Sequence, residues 1–422
     1  MACGESEDDP MQYDQQRQYL TLVSPLWRDT VICDSRLWTS VVIKYDTTVV
    51  QVKEMTRYAR RRSVHIHITT GINEVHAALF LEQFKALALP LSVLAMQSNH
   101  ISMTSNTFRS SLRIMRWLSD CLTAHVARLD LVLTGEIVVG RNSKLPFPLL
   151  PCSLLKRMVI QYSFVHKPST PLMTSLTHLY FGPLDMDVGE MGVPWSHVRD
   201  MLQECLQLTH LTLDRVECRD MRFALDEDNY ECAIPRLKHL WVICDDMASG
   251  YMMLALQLPV IEYLRFQSSI YSSYFLGGFL MNGFSSAADR IITLELSARN
   301  LPHSYLLEEI IESFSNLQVL DLRGCTKNIV TALSGLRARD PAPLCPDLRI
   351  IYVSFRMKRK HMRRTLCRRH AGHFAPECTI AIDAPDDRGP RLRSGFIGTG
   401  NNRLLKTQYE EPQVSGLDWY LG

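Results

Sequence analysis

The sequence lacks paired cysteines, a strong net charge and an unbroken apolar segment. Its 12 cysteines are scattered over 422 residues with no C-x-x-C pair, so we expect reduced thiols and no disulfide framework. The net charge of +2 indicates neither an acidic nor a basic partner. The longest apolar stretch that we identify, residues 251–264, is broken by Gln257 and Pro259 and is shorter than the roughly 20 residues that span a bilayer.

These absences predict a protein without a membrane partner. The start is acidic and has no apolar run, so no signal peptide is predicted, and we expect the protein in the cytoplasm or the nucleus. Catalytic signatures are missing as well. GFSSA (283–287) lacks the second glycine of a nucleophile elbow, and GTGNNR (398–403) has neither a third glycine nor a preceding strand. We therefore expect a protein that is not an enzyme and holds no cofactor.

Two tryptophans close to the start, Trp27 and Trp38, lie in the most informative segment. Ser24 is a good N-cap and Pro25 suits the first helical position, so a helix is predicted to begin there and to end near Cys33. A separate helix is predicted to end at Val23, because a Ser-Pro step disfavours helix continuation. Four apolar residues are predicted to share one face across this break: Leu20, Val23, Trp27 and Val31. After Leu37 and Trp38, TSVVIK alternates and predicts a strand.

The order helix, Val-Ser-x-x-Trp-Arg, helix, Leu-Trp, strand resembles the second half of an F-box, of the type abundant in mushroom-forming fungi. The segment 55–71 is also similar to that family, although its Pro-Leu pair is missing. The resemblance implies that the Val and the Trp pack a small helical core and that the segment docks a Skp-type adaptor and, through it, a cullin. The implied adaptor-binding or F-box core residues are Leu20, Val23, Pro25, Trp27, Arg28, Leu37 and Trp38.

One part of the F-box pattern is absent. The family's first helix opens with Leu-Pro-x-Glu and carries much of the adaptor-docking surface, but residues 1–19 contain nothing like it. We expect either that this helix has been lost or that the start of the chain has been wrongly assigned.

The body of the chain repeats a six-residue pattern, apolar-x-x-apolar-x-apolar. Its copies are LKRMVI (155), LTHLYF (176), LTHLTL (208), LKHLWV (237), IEYLRF (261), IITLEL (291), LQVLDL (317) and LRIIYV (348), with fainter copies at LSVLAM (91) and VARLDL (126). The spacing of 21–32 residues is typical of leucine-rich repeats. Return helices are predicted at 194–205, capped by Ser196, and at 304–314.

The fold class predicted from these patterns is an α/β repeat, with a short helical segment followed by an irregular leucine-rich-repeat-like solenoid. Unequal copies without an asparagine or cysteine ladder predict the irregularity. An open α/β sheet of βαβ units is the alternative, and it predicts near-continuous apolar strands and a glycine-rich first turn, which are missing. The predicted segments are an acidic disordered N-terminus (1–11), a partial F-box (12–44), the solenoid (45–383) and a flexible tail (384–422).

Strand alternation predicts a target-binding row. The second and third apolar positions of each copy should face the core, so the residue between them faces outward. The row is Tyr180, Thr212, Trp241, Arg265, Glu295, Asp321 and Tyr352, flanked by His178, His210, His239 and Tyr263. Tyr, Trp and Arg dominate interface energetics, so Trp241 is predicted to be an exposed anchor for a target protein.

Three further clusters each have a functional and a purely structural interpretation. Cys367, His370, His373 and Cys378 could hold zinc or belong to an incidental basic loop, and we expect no metal. His178, His210 and His239 could form a functional ladder or simply occupy a tolerant solvent-facing position. The basic run 356–370 could be an import signal, a phosphate-binding patch or the solvated face of a helix, and we do not expect a nucleic-acid partner.

The predicted function is that of an F-box-like substrate receptor of a cullin-RING ubiquitin ligase, which holds an unknown protein target on the repeat surface. The alternative is a leucine-rich-repeat interaction scaffold that has lost adaptor binding.

Overall fold

The computed structural model has an α/β fold that divides into two units. Residues 1–176 and 405–422 form the first unit, and residues 177–404 form the second. The structure describes residues 10–60, 62–70, 74–105, 114, 117–118, 126–133, 154–161, 173–182, 194–216, 218, 230–244, 252–268, 280, 284, 287–298, 304–323, 325, 345–354, 378–383 and 395–397.

The first unit begins with helices and continues as a parallel sheet. Its elements are α1 (Pro10–Val23), α2 (Pro25–Cys33), a 3-10 turn (Ser35–Trp38), β1 (Ser40–Ile43), α3 (Val49–Ala59), β2 (Val64–Thr69), α4 (Glu74–Ala95), β3 (Ser98–Ser105), β4 (Arg128–Leu133) and β5 (Arg157–Gln161). The strands β1 to β5 pair in chain order, and every pairing is parallel. Each strand therefore adds to the same growing edge of the sheet.

The predicted helix boundaries near the start are confirmed. α1 ends at Val23, and the Ser24 hydroxyl accepts a hydrogen bond from the Trp27 backbone N–H at 3.2 Å, with Pro25 at the first helical position. Because α1 begins at Pro10, the last two residues of the predicted disordered N-terminus are helical. The rest of that prediction lies outside the described residues.

The helix α4 corrects two predictions. The copy LSVLAM (91) was expected to be a strand, but it lies in α4 up to Ala95, where Leu91 and Leu94 are buried as part of a helical face. Val75–Ala95 also forms the one described helix that is long and apolar enough to cross a membrane, with a mean hydropathy of 1.5. At 21 residues it is longer than the 251–264 stretch, which was expected to be the longest apolar run. A single such helix is weak evidence for a membrane segment, and 39% of its apolar window is buried inside the protein.

The second unit is built mainly from strands. Its elements are β6 (His178–Phe181), α5 (Trp195–Glu204), β7 (His210–Asp214), β8 (Cys232–Ala233), β9 (His239–Cys244), β10 (Leu256–Gln257), β11 (Tyr263–Ser268), β12 (Thr293–Ala298), α6 (Ser304–Ser313), β13 (Val319–Asp321), β14 (Ile350–Ser354), β15 (Thr379–Asp383) and β16 (Gly395–Ile397). The main sheet runs β6-β7-β9-β11-β12-β13-β14-β15 in parallel, and β16 joins it antiparallel. β8 and β10 form a separate parallel pair.

The six-residue copies of this unit are strands whose apolar residues form its core. The second and third apolar positions are almost fully buried in each copy: Leu179 and Phe181, Leu211 and Leu213, Leu240 and Val242, Leu264 and Phe266, Leu294 and Leu296, Leu320 and Leu322, Ile351 and Val353. The period-2 geometry of a strand places these side chains on one face. The predicted core positions are therefore confirmed.

One local prediction about the repeats needs correction. The helix α5 lies where expected, but its N-cap is Pro194 and no side chain caps it, so Ser196 does not have the predicted role. One copy carries a single cysteine at the ladder position, which does not by itself form a ladder. Cys325 follows Leu322 at the leucine-rich-repeat spacing, is buried, and directs its Sγ at the Leu296 carbonyl at 3.2 Å.

The strand β16 lies within the predicted flexible tail. Its residues Gly395–Ile397 pair with Ile380–Ile382 of β15, so this part of the tail is extended and hydrogen-bonded to the sheet. The remainder of 384–422 lies outside the described residues.

Candidate functional site

The middle of α1 is tied to β1 by a buried ion pair that the sequence analysis did not single out. Arg17 and Asp14 are nearly inaccessible to solvent and pair with each other. Arg17 Nη1 also donates to the Ser40 carbonyl at 3.0 Å, and its guanidinium lies 4.2 Å from the centre of the Trp38 ring. Trp38 Nε1 donates to the Val31 carbonyl at 2.8 Å. These contacts hold α1, α2 and β1 in one arrangement.

The apolar side chains at the junction of α1 and α2 point into solvent. Tyr19, Leu22, Val23, Leu26 and Trp27 are 68%, 74%, 64%, 76% and 39% exposed, and we call this set the α1–α2 patch. The resemblance implied that Val23 and Trp27 pack a helical core, and this is wrong for the structure. Val31 is fully buried, so it does not share an exposed face with them either.

The remaining F-box-like positions divide by exposure. Trp38 is buried, Leu20 and Leu37 are half-buried, and Pro25 and Arg28 are exposed. Arg28 Nε donates to the Thr21 carbonyl at 3.3 Å and so links the two helices. The same short motif therefore supplies both the anchor of this segment and its exposed apolar surface.

The seven residues of the predicted target-binding row share one register across the second unit. Tyr180 pairs with Thr212, Thr212 with Trp241, Trp241 with Arg265, Arg265 with Glu295, Glu295 with Asp321, and Asp321 with Tyr352. We call this set the strand row. Parallel strands stacked in register place equivalent positions of successive copies side by side, roughly 4.8 Å apart.

The strand row is less exposed than the sequence predicted. Tyr180, Thr212 and Asp321 are buried, while Trp241 and Tyr352 are half-buried. Trp241 is therefore not the freely exposed anchor that was expected.

Neighbouring charges in the strand row are matched within the face. The Arg265 guanidinium lies 4.0 Å from the centre of the Trp241 ring, and its Nε lies 2.9 Å from Glu295 Oε1. The Nε–H is not aligned with that oxygen, so the contact is an ion pair without a hydrogen bond. Arg323 pairs with Asp321 at 2.7 Å. The Trp241 Nε1–H is buried and has no hydrogen-bond partner within the protein.

Burial also perturbs the acids of this face. The Tyr263 hydroxyl donates to Glu295 Oε2 at 2.6 Å. Burial, followed by the charge of Glu295, raises the pKa of Tyr263 well above its usual range. Burial raises the pKa of Glu295 as well. Both shifts follow from low exposure on a sheet face.

The predicted histidine ladder is present beside the strand row. His178 stacks on His210 with ring centroids 4.1 Å apart, and His210 stacks on His239 at 4.3 Å. The Thr209 hydroxyl donates to the Thr177 carbonyl at 3.0 Å, so it accepts from His210 Nδ1 at 2.8 Å. Because the three imidazole rings stack flat on one another in successive copies, packing explains why histidine recurs at this position.

A second polar cluster, which the sequence analysis missed, lies on the sheet of the first unit. Its members are His65, His67, His100, Ser102, Arg128 and Asp130, from the adjacent strands β2, β3 and β4. The Ser102 hydroxyl lies 2.8 Å from both His65 Nε2 and His67 Nδ1, while His100 Nε2 lies 2.7 Å from Asp130. Alternation in VHIHIT places His65 and His67 on one face, and this was the available signal.

Titration in this cluster is strongly shifted. Burial, helped by the charges of His100 and His67, lowers the pKa of His65 to about 2. Burial acts to raise the pKa of Asp130, but hydrogen bonds from His100 and Arg128 hold it below its usual range. His65 is therefore a neutral imidazole stacked 3.7 Å from His100 at physiological pH.

We expect this unit to lose stability in mild acid because of His65. An unfolded His65 titrates near 6.5, so folding stability is complete above that pH and falls as the pH drops from 6.5 toward the folded value near 2. Between pH 7.5 and pH 5 the loss is about 2 kcal/mol. Urea unfolding at both pH values should show a smaller difference for His65→Gln, and an unchanged difference would contradict this origin.

Among the residues that the structure describes, no group of three or more His, Cys, Asp or Glu side chains could hold a metal ion. Cys367, His370 and His373 of the possible zinc cluster lie outside the described residues, as does the basic run 356–370. Cys378 is buried with a free thiol, and burial raises its pKa to about 12. Burial likewise raises the pKa of Cys205 and of Cys232 to about 12, which makes these thiols unreactive.

Comparisons with known proteins do not assign a family. No family model matches the chain, and no curated protein matches it. Among solved structures 24 chains match. One is the crystal structure of a Bacteroides fragilis protein solved as a Northeast Structural Genomics Consortium target. It is 10% identical, covers 74% of each chain and has a TM-score of 0.33. Similarity at that level carries no functional argument.

Proposed function

We propose that this protein is an F-box-like substrate receptor of a cullin-RING ubiquitin ligase. The α1–α2 patch would dock a Skp-type adaptor, and the sheet of the second unit would hold a target protein. Ubiquitin transfer would belong to the partner enzymes, so the chain itself needs no catalytic group.

The observation that carries the proposal is the α1–α2 patch. Five large apolar side chains, Tyr19, Leu22, Val23, Leu26 and Trp27, lie exposed on two consecutive helices. Clustered exposed apolar residues mark partner-binding surfaces, because water contact with them is unfavourable and burial against a partner removes it. The same segment carries the F-box-like Val-Ser-x-x-Trp-Arg and Leu-Trp pairs, which is why an adaptor is the proposed partner.

The anchor beneath the patch supports the same role. The pair Arg17–Asp14 and the buried Trp38 connect the helices to β1 through backbone and side-chain hydrogen bonds. A patch on a rigid support loses little conformational entropy on binding, so more of the contact energy appears as affinity.

We further propose that the strands form an irregular leucine-rich-repeat-like solenoid. Within each unit, parallel strands succeed one another in chain order without reversal, which is how stacked repeats add. A doubly wound sheet would reverse its strand order at a switch point. The buried Leu-x-Leu core positions and Cys325 fit the repeat spacing.

The strand row is the proposed target surface. It places Trp241, Arg265 and Tyr352 half-buried on one face, and these residue types dominate binding energy. The charge of Arg265 is already paired with Glu295, so a target would gain affinity from shape more than from net charge.

Adaptor docking can be tested with matched substitutions in the full chain. Leu22→Glu and Leu26→Glu each place a charge in the α1–α2 patch. They should weaken the adaptor complex by at least about 30-fold, or about 2 kcal/mol. Val50→Glu is the control, because Val50 is 65% exposed on α3 and lies outside the patch. The measurement is the dissociation constant by biolayer interferometry after copurification.

Two results would contradict the proposal. If the unsubstituted chain forms no complex with a Skp-type adaptor, ligase membership is excluded and the interaction scaffold without adaptor binding replaces it. If Val50→Glu weakens the complex as much as Leu26→Glu does, the patch is not the docking surface.

A further inference from the structure

The outer face of α4 carries an apolar stripe that the proposed function does not use. Phe80, Phe84, Leu87 and Leu91 of this helix are buried in the first unit. On the opposite side, at helical spacing, lie the exposed Val75, Leu79, Leu89 and Val93. We call these four residues the α4 stripe. Leu89 is 78% exposed, more than any other large apolar side chain in the described part of the chain.

The α4 stripe has the same pattern when read in either direction. Val75 and Val93 each lie nine residues from Phe84, and Leu79 and Leu89 each lie five residues from it. Eighteen residues are five full turns of an ideal helix, and Val75 and Val93 are both exposed although Pro90 lies between them. In an antiparallel pair of α4 helices related by a two-fold axis level with Phe84, Val75 would meet Val93 of the second copy, and Leu79 would meet Leu89.

The charges at the centre of the stripe fit the same arrangement. Glu82 and Lys85 are exposed near the midpoint of α4. In the antiparallel pair, Lys85 of one copy lies about 1.5 Å along the axis from the level of Glu82 of the other, because one residue rises about 1.5 Å. The two-fold axis forms this contact twice, and both contacts pair opposite charges.

From the palindromic stripe and its complementary centre, we propose that α4 is the homodimerisation surface of this protein. The occupant of the stripe is a second copy of the chain in antiparallel orientation. An isologous interface requires a self-complementary patch, and the pairs Val75–Val93, Leu79–Leu89 and Glu82–Lys85 satisfy that requirement. A helix pair buries less surface than a standard stable interface, so a micromolar dissociation constant is expected.

A charge-exchange experiment on the full chain tests the pairing. Glu82→Lys leaves only cations at the centre of the pair, and Lys85→Glu leaves only anions. Each single variant should therefore be monomeric at concentrations where the unsubstituted chain dimerises, with a dissociation constant raised at least 10-fold. The double variant Glu82→Lys, Lys85→Glu should dimerise again. An equimolar mixture of the two single variants should form heterodimers. Sedimentation equilibrium measures all of these species.

Controls separate this surface from others. Glu54→Lys and Lys53→Glu change exposed charges on α3 by the same amounts and should leave the dimer unchanged. Leu26→Glu disrupts the α1–α2 patch and should also leave it unchanged, so the proposed adaptor site and the dimer site fail independently. Leu89→Glu should abolish dimerisation.

Three results would overturn the proposal. The first is a chain that stays monomeric up to about 100-fold above a micromolar dissociation constant. The second is a dimer that the single charge variants do not weaken or that the mixture does not restore. The third is a monomer that floats with phosphatidylcholine vesicles and loses flotation in Leu89→Glu, since this would assign the stripe to a lipid surface.

Discussion

Trp38→Ala is expected to lower the free energy of unfolding of the first unit by about 3–5 kcal/mol. The Trp38 ring is 9% exposed, its Nε1 donates to the Val31 carbonyl at 2.8 Å, and the Arg17 guanidinium lies 4.2 Å above it. Removing the ring opens a cavity, takes the Nε1–H donor away from the Val31 carbonyl and removes the cation–π contact of the buried Arg17. These costs add to the lost burial of the ring.

Trp27→Ala provides the matched comparison, because the same change of side chain is made 11 residues earlier in the sequence. The Trp27 ring is 39% exposed, so its removal should cost no more than about 2 kcal/mol, less than a fully buried tryptophan would. Trp38→Phe should lie between these values, since it keeps most of the bulk and loses the hydrogen bond. The measurement is denaturant unfolding followed by near-ultraviolet circular dichroism. Equal losses for Trp27→Ala and Trp38→Ala would contradict the exposed α1–α2 patch.

Gly182→Ala is expected to destabilise the second unit by at least about 3 kcal/mol. Gly182 has φ of +110°, and a Cβ atom there would lie 1.9 Å from the Asp214 carbonyl oxygen. That oxygen is backbone at the end of β7, so relief requires β6 and β7 to separate. The buried hydrogen bond from the Tyr180 hydroxyl to Asp214 would then be disturbed as well.

The effect of Gly182→Ala can be followed by thermal unfolding in parallel with Thr293→Ala. Thr293 is half-buried on the same sheet and already carries a Cβ atom, so its substitution adds no atom to the backbone and should cost less than about 1 kcal/mol. A Gly182→Ala protein that unfolds at the temperature of the unsubstituted chain would show that β6 and β7 do not approach as closely as described.

The two exposed apolar surfaces of the first unit have different expected partners. The α1–α2 patch lies on helices that carry the F-box-like residues, and the proposed occupant is an adaptor. The α4 stripe is symmetric along its helix, and the proposed occupant is a second copy. A dimeric receptor would present two target surfaces at once, which raises avidity toward repeated targets through effective concentration.

Local sequence patterns determined much of this fold. The Ser24-Pro25 step predicted both helix boundaries, because capping and a fixed proline φ act within one turn. The repeated apolar pattern predicted the strands of the second unit and their buried positions, since side-chain direction in a strand depends only on the period of 2. The strand row followed from the same period, and its register in the structure agrees with it.

The direction in which Val23 and Trp27 point was decided by tertiary structure alone. A helix with apolar residues on more than one side can be buried on either, and contacts 20 to 23 residues apart, from Arg17 to Leu37 and Ser40, selected the side that carries Val31. LSVLAM became helix for a similar reason. A short apolar run fits a strand or a helix, and the buried positions Phe80, Phe84 and Leu87 of the preceding turns continue through it at Leu91 and Leu94.

In the polar clusters too, the sequence determined side-chain direction and the tertiary structure determined the neighbours. Alternation placed His65 and His67 on one face, but their contacts with Ser102 and the stacking on His100 join residues 35 to 37 positions apart. The need for Gly182 also depends on Asp214, which lies on a neighbouring strand. Periodicity reports the direction of a side chain relative to its own element. Which neighbour it meets, and whether water reaches it, depends on how separate elements pack, and that is set by long-range contacts that no local pattern encodes.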